Sequence, residues 1–119
     1  MRGNDLRLKL IDFGFSTFIQ EKGKLSKGLG SRYYFAPEIL NKRDYDERVD
    51  VWSAAVIIFC LLFGEMPFPG ADVSEVAENI KKRNLDVFLY DPKFNLSPSG
   101  RDFIKLGLRI NPSKRGSAK

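Results

Sequence analysis

The chain has 119 residues, 43% hydrophobic and 29% charged, a balance that excludes a disordered or low-complexity protein and a repeat array. That length holds one modest domain, or part of one. The formal charge of +5 is uneven: residues 1–32 carry seven Lys and Arg against three Asp and Glu, leaving +1 for the remainder, and no basic stripe on a helix and no nucleic-acid partner are expected.

In chain order, Leu6, Leu8 and Leu10 alternate with Arg7 and Lys9, the period of a half-buried strand, and the Gly3-Asn4-Asp5 turn before it implies a preceding strand. The first hairpin therefore reads as cut in half. "DFG" closes the run at Asp12, Phe13 and Gly14. An aspartate at a strand end presents a carboxylate suited to a hard cation such as Mg²⁺, a following Phe can be buried, and a Gly lets the chain turn. On its own the tripeptide reads better as a turn that ends a strand.

Residues 15–35 (FSTFIQEKGKLSKGLGSRYYF) have neither helical nor strand period, and a loop of that length points to function. An acidic stretch, DYDERVD, then leads into VWSAAVIIFCLLF, residues 51–63. This apolar run falls short of the roughly 20 residues that span a bilayer, so it reads as a buried helix, stopped by Gly64, Pro67 and Pro69, and no membrane partner is expected. Within it Cys60, the single cysteine, reads as a small buried hydrophobe in a reducing compartment. Two amphipathic helices follow, over residues 74–83 and about 99–108, the second carrying Phe103, Ile104, Leu106 and Leu108. The expected fold is mainly α with a short β-hairpin remnant. The chain ends on a turn and a helix start at Ser117, and both termini read as truncated.

Taken together, four ordered motifs carry a resemblance. Asp12-Phe13-Gly14 and Ala36-Pro37-Glu38, the ends of a 27-residue span, resemble the activation segment of eukaryotic protein kinases. "DVWSAAVIIFCLLFGEMPF" resembles the central helix of the carboxy-terminal lobe and its following turn, and Arg115 in "NPSKR" resembles the arginine near that domain's end. The chain is thus similar to a partial kinase domain of the α+β fold. Residues 1–11 would end a hairpin strand, 12–38 form the activation segment and 39–119 the helical part of the lobe.

The resemblance implies a role for each matched position. Asp12 would hold the Mg²⁺ that bridges ATP phosphates, Ile11 would face the nucleotide, and Phe13 would join an apolar stack linking the lobes, supported by Ile57 and Leu61. Asp50 would hydrogen-bond the catalytic-loop backbone, with Trp52 structural beside it, and Glu38 would form a buried ion pair with Arg115. Ser31 would contact the catalytic machinery, and Phe35 would line the pocket for the residue after the phosphoacceptor. "GSRYYFAPE" lacks the Trp-Met of tyrosine kinases, so the resemblance is to serine/threonine kinases, nearest the calcium/calmodulin-dependent group.

Two departures stand beside these matches. Lys27 occupies the usual activation-loop phosphothreonine position, with Ser26 adjacent and Lys22 and Lys24 nearby, so phosphorylation of Ser26 and an unregulated basic loop stay open. Ala55 replaces a helix glycine, a change that favours the helix if its methyl finds room.

A working kinase also needs a glycine-rich loop, a phosphate-binding lysine and an H-R-D-x-x-x-x-N loop, and this sequence, which has no histidine, contains none of them. The expectation is therefore a piece of a cytoplasmic, also nuclear, serine/threonine kinase that is inactive alone. Its cofactors would be ATP and Mg²⁺, its partners protein substrates, and its parent protein open to calcium or calmodulin-type regulation. The alternative is a non-catalytic binding module, either a decoy lobe or a pseudokinase fragment.

Overall fold

The computed structural model describes residues 7–14 and 32–116. Among the described residues five α-helices run in order: α1 (Pro37–Leu40), α2 (Arg48–Phe63), α3 (Val73–Lys82), α4 (Asp86–Leu89) and α5 (Pro98–Gly107). Single 3₁₀ turns at Arg32–Tyr34, Pro92–Phe94 and Pro112–Lys114 join or flank them.

The 16-residue α2 is the axis of the molecule, and its sequence says why: apolar side chains surround it, so several elements can pack on it at once. Gly64 ends it in the left-handed conformation, φ 73°, and donates its N–H to the Cys60 carbonyl at 2.9 Å. Toward its amino-terminal half, Val49, Trp52 and Val56 pack with Ala36, Leu40, Phe68, Val76 and Ile80, joining α1 and α3 to α2. Toward its carboxy-terminal half, Phe59 and Phe63 pack with Leu89 and Ile104 of α4 and α5. Phe88 and Phe94 extend this second core, with Phe63 and Phe94 edge-to-face at 4.7 Å.

Caps fix the shorter helices. Asp72 accepts the Glu75 N–H at 2.9 Å, and Glu75 Oε2 reaches back to accept the Ala71 N–H at 2.9 Å, a reciprocal arrangement close to a capping box. Ser97 accepts the Gly100 N–H at 3.0 Å, with Pro98 in the first turn of α5.

The mainly helical reading holds, with the two amphipathic helices one residue earlier than the periodicity suggested. The hairpin remnant does not: no strand runs through residues 7–11, where Leu8, Leu10 and Ile11 stand exposed. Alternation selects a strand only when another strand completes its hydrogen bonds and a core receives one face, and no described residue does either for this run. The start of that run and the helix start at Ser117 lie outside the described residues. Cys60 is half-buried rather than buried, with Sγ 3.2 Å from Met66 Sδ, because the far side of α2 is open there. Among the described residues no helix is long and apolar enough to cross a membrane.

Candidate functional site

Glu38 and Arg115 stand 77 positions apart in sequence and meet in the interior, 6% and 3% exposed. Pro37 starts α1 and fixes Glu38 in its first turn, facing inward. Arg115 follows the 3₁₀ turn that Asn111 caps through the Ser113 N–H. The guanidinium donates to both carboxylate oxygens, Nη1 to Oε1 at 2.7 Å and Nη2 to Oε2 at 3.2 Å. Its remaining donors reach the carbonyls of Arg48 at 3.0 Å, Arg109 at 2.8 Å and Ile110 at 3.3 Å. The Trp52 ring lies 5.1 Å from Arg115 Cζ and stacks on Phe68 at 5.5 Å. A planar fork donating to a carboxylate and three carbonyls satisfies a buried cation, which lysine could not do with this geometry.

The segment ahead of α1 is tied down on both sides. Ser53 of α2 donates its hydroxyl to the Tyr34 carbonyl at 2.7 Å. Arg32 donates to the Ala71 carbonyl at 3.0 Å and lies over the Tyr33 ring at 4.7 Å. Phe35, half-buried, packs against the Trp52 core. Neither Arg32 nor Ser53 was singled out from the sequence, since an isolated Arg beside two tyrosines and a serine inside an apolar helix carry no local signal of a distant carbonyl.

Asp50 lies in the first turn of α2, exposed, and no hydrogen bond reaches its carboxylate among the described residues. Partial desolvation, then the negative charge of Glu47, hold its pKa above the ordinary aspartate value. Ile57 and Leu61, one turn apart, are 49% and 80% exposed. They form an open apolar face on α2.

Asp12 adopts a left-handed conformation, φ 60°, which aspartate tolerates better than most residues, and its Oδ1 accepts the Gly14 N–H at 3.3 Å. This closes a short Asx-type turn in which the second carboxylate oxygen is unbonded among the described residues and open to solvent. Phe13, expected to be buried, is 67% exposed, and Ile11 is exposed too, because no described core reaches residues 11–14. Ser26 and Ser31 lie outside the described residues. The structure thus brings Glu38, Trp52, Arg115 and Phe35 into one assembly and does not bring Ile11, Asp12 or Phe13 to it.

An exposed carboxylate with one free oxygen suits Mg²⁺, which binds through one or two carboxylates together with phosphate oxygens. Asp12 fits that requirement as one ligand. Among the described residues no three His, Cys, Asp or Glu side chains gather into a self-sufficient metal site.

The family model for the protein kinase domain matches residues 1–119. Among curated proteins, the chain is 40% identical over 118 residues to calcium-dependent protein kinase 21 of Oryza sativa subsp. japonica, covering 99% of the chain and 20% of that relative. It is 46% identical over 111 residues to calcium-dependent protein kinase 10 of Arabidopsis thaliana, covering 93% of the chain and 20% of that relative. The chain therefore spans about a fifth of the length of the curated relatives it matches.

Proposed function

The chain belongs to the protein kinase domain family, and from that premise we propose that it supplies the activation segment and helical carboxy-lobe of a kinase that transfers the ATP γ-phosphate to protein serine or threonine. The observation that carries this reading is the buried Glu38–Arg115 pair, which fastens the end of the Ala36-Pro37-Glu38 motif to the far end of the chain. A substrate-binding segment needs such an anchor, because in-line phosphoryl transfer depends on holding two reactants in place.

Each residue then has a task. Asp12 would offer its free oxygen to Mg²⁺, with the Gly14 N–H orienting the carboxylate through Oδ1. When bound, that ion neutralises charge on the phosphates. Ser53 and Arg32 hold the Arg32–Phe35 stretch against α2 and the start of α3, fixing the wall on which Phe35 would receive a substrate side chain. The unpaired carboxylate of Asp50 would hydrogen-bond the catalytic-loop backbone, the role the resemblance implies. The names of the relatives support a calcium-regulated parent protein.

In the full-length protein that carries this chain, Asp12→Asn should lower phosphoryl transfer about a hundredfold or more while leaving the thermal midpoint in place. Transfer at the unaltered rate would overturn the role of Asp12. The 119-residue chain alone should incorporate no phosphate from ATP into a generic serine/threonine substrate protein, because it holds no catalytic-loop base. A second reading, a non-catalytic binding module, draws on the open apolar face at Ile57 and Leu61. It gains only if the full-length protein is also inactive.

A further inference from the structure

The +1 left to the chain after residue 32 conceals two opposed bands. Residues 33–79 hold nine Asp and Glu against three Lys and Arg, and residues 80–115 hold nine Lys and Arg against three Asp and Glu. The basic band has a groove in it. Between the end of α3, α4 and α5 lies an open depression of about 380 Å³ floored by Ile80, Leu85, Ile104 and Leu108. Its size falls within the range of about 300 to 1,000 Å³ typical of sites that receive ligands.

The rim is cationic. Lys105 of α5 and Arg109, two residues beyond its end, line the depression; Arg101 sits one helical turn before Lys105, outside the lining. Arg83 lines the opposite side but is engaged, donating to Glu65 at 2.7 Å and to the Met66 and Pro67 carbonyls. Arg101 donates to the Leu89 carbonyl and covers the Tyr90 ring, so it too has a structural duty. Lys105 donates to the Tyr90 hydroxyl at 2.5 Å, lies over the Tyr90 ring at 4.5 Å and reaches Asp86 at 3.8 Å. Among the described residues the Arg109 side chain makes no hydrogen bond, although its carbonyl receives Arg115. Asp86 is the one acid in the lining, against Arg83, Lys105 and Arg109.

We propose that this groove docks an acidic amphipathic helix of a protein partner, with apolar side chains at i, i+3 or i+4 entering the floor and carboxylates pairing with Lys105 and Arg109. The concave apolar floor selects this occupant over other polyanions. A nucleic-acid backbone carries no aliphatic groups to fill it, and a bilayer surface is too flat to enter it. The rim's excess of positive charge, with Arg109 bonded to no side chain or carbonyl among the described residues, selects acidic over basic helices, since like charges brought together at an interface are penalised. The groove does not use Asp12 or Glu38, so the proposal stands apart from phosphoryl transfer.

The test uses a fluorescent peptide of about fifteen residues, near the length at which a helix becomes self-sustaining, with Leu at i, i+3, i+4 and i+7 and Glu elsewhere. A matched peptide replaces every Glu with Lys. Binding to the full chain is read by anisotropy at two salt concentrations. The Glu peptide should bind about tenfold or more tightly than the Lys peptide, and the preference should shrink as salt rises. The Lys105→Glu/Arg109→Glu variant should invert it. Arg109→Glu alone, which removes no side-chain hydrogen bond, should shift the preference the same way by a smaller factor, so misfolding of the double variant would leave the test intact. Equal binding of both peptides, no binding of either, or a preference unmoved by Arg109→Glu would overturn the proposal. So would tighter binding of a single-stranded RNA or of phosphatidylserine vesicles than of the Glu peptide.

Discussion

Arg115 spends every direction of its guanidinium on the interior: two donors on Glu38 and the rest on three carbonyls. Removing Glu38 strands a buried cation, so Glu38→Ala should destabilise the chain by about 3 to 5 kcal/mol, read as a fall in the urea midpoint. Replacing both partners, as Glu38→Gln/Arg115→Met, should recover only part of that loss. The carbonyls of Arg48, Arg109 and Ile110 would still lose their donor, and a buried acceptor without one costs about 1 to 3 kcal/mol. Asp50 presents the reverse case, a carboxylate kept where the fold does not reward its charge. Its pKa lies above the ordinary value in the folded state, through desolvation and then Glu47, so between the unfolded and folded pKa values the native state holds the extra proton. Stability from this group is therefore greatest below the unfolded pKa and declines as pH rises through the folded one. Asp50→Asn should accordingly stabilise the chain at neutral pH relative to the parent sequence, with the gain disappearing below the ordinary aspartate pKa in pH-dependent thermal melts. A gain that persisted in acid would assign the effect to something other than ionisation.

At the scale of elements, the crossing of α2 and α5 is set by two small residues. Ala55 is fully buried, and a Cβ built on Gly107 would lie 2.6 Å from the Ala55 Cβ and 3.6 Å from the Val51 carbonyl oxygen. The methyl of Ala55 finds its room because α5 presents no side chain there. Gly107→Ala should therefore push the helices apart and cost about 1 to 3 kcal/mol despite raising helix propensity. Adding Ala55→Gly should restore much of that loss, although Ala55→Gly alone costs about 1 kcal/mol, and the double-mutant cycle should show strong coupling. Additive losses would mean that the two positions do not meet. The pattern of the sequence placed α2, α3 and α5 well, because apolar period and Gly64 at a stop are local signals, while the caps Asp72 and Ser97, not singled out from the sequence, account for the one-residue shifts of α3 and α5. The short α1 and α4 were not legible, since four residues are too few to show a period, and Gly107 gave no hint of its role, since a close approach depends on the other helix. The strand at residues 7–11 failed for the complementary reason: alternation is local, but the partner that makes a strand is not.

For the molecule as a whole, net charge was the least informative number available. A balance of +1 beyond residue 32 is the sum of an acidic stretch, residues 33–79, and a basic stretch, residues 80–115, that meet within α3. The candidate site was legible where motif and burial coincide, as at Glu38 and Arg115, and illegible where a residue works through a distant backbone carbonyl, as Arg32 and Ser53 do. The same contrast governs α2, whose apolar sequence promised burial on every side. Ile57, Leu61 and Leu62 instead stand 49%, 80% and 43% exposed, a row of aliphatic surface on the central helix. Apolar patches left open to water seek cover, and a second copy supplies it as concentration rises. The 119-residue chain should therefore show concentration-dependent sedimentation, and Ile57→Glu/Leu61→Glu should keep it monomeric with an unchanged urea midpoint, since neither side chain is in the core. If the variant sediments like the parent chain, the association has another origin, such as the opposed charge bands, and rising salt would then dissolve it. If the variant unfolds, Ile57 and Leu61 contribute to folding stability and the account of association through an open α2 face is overturned.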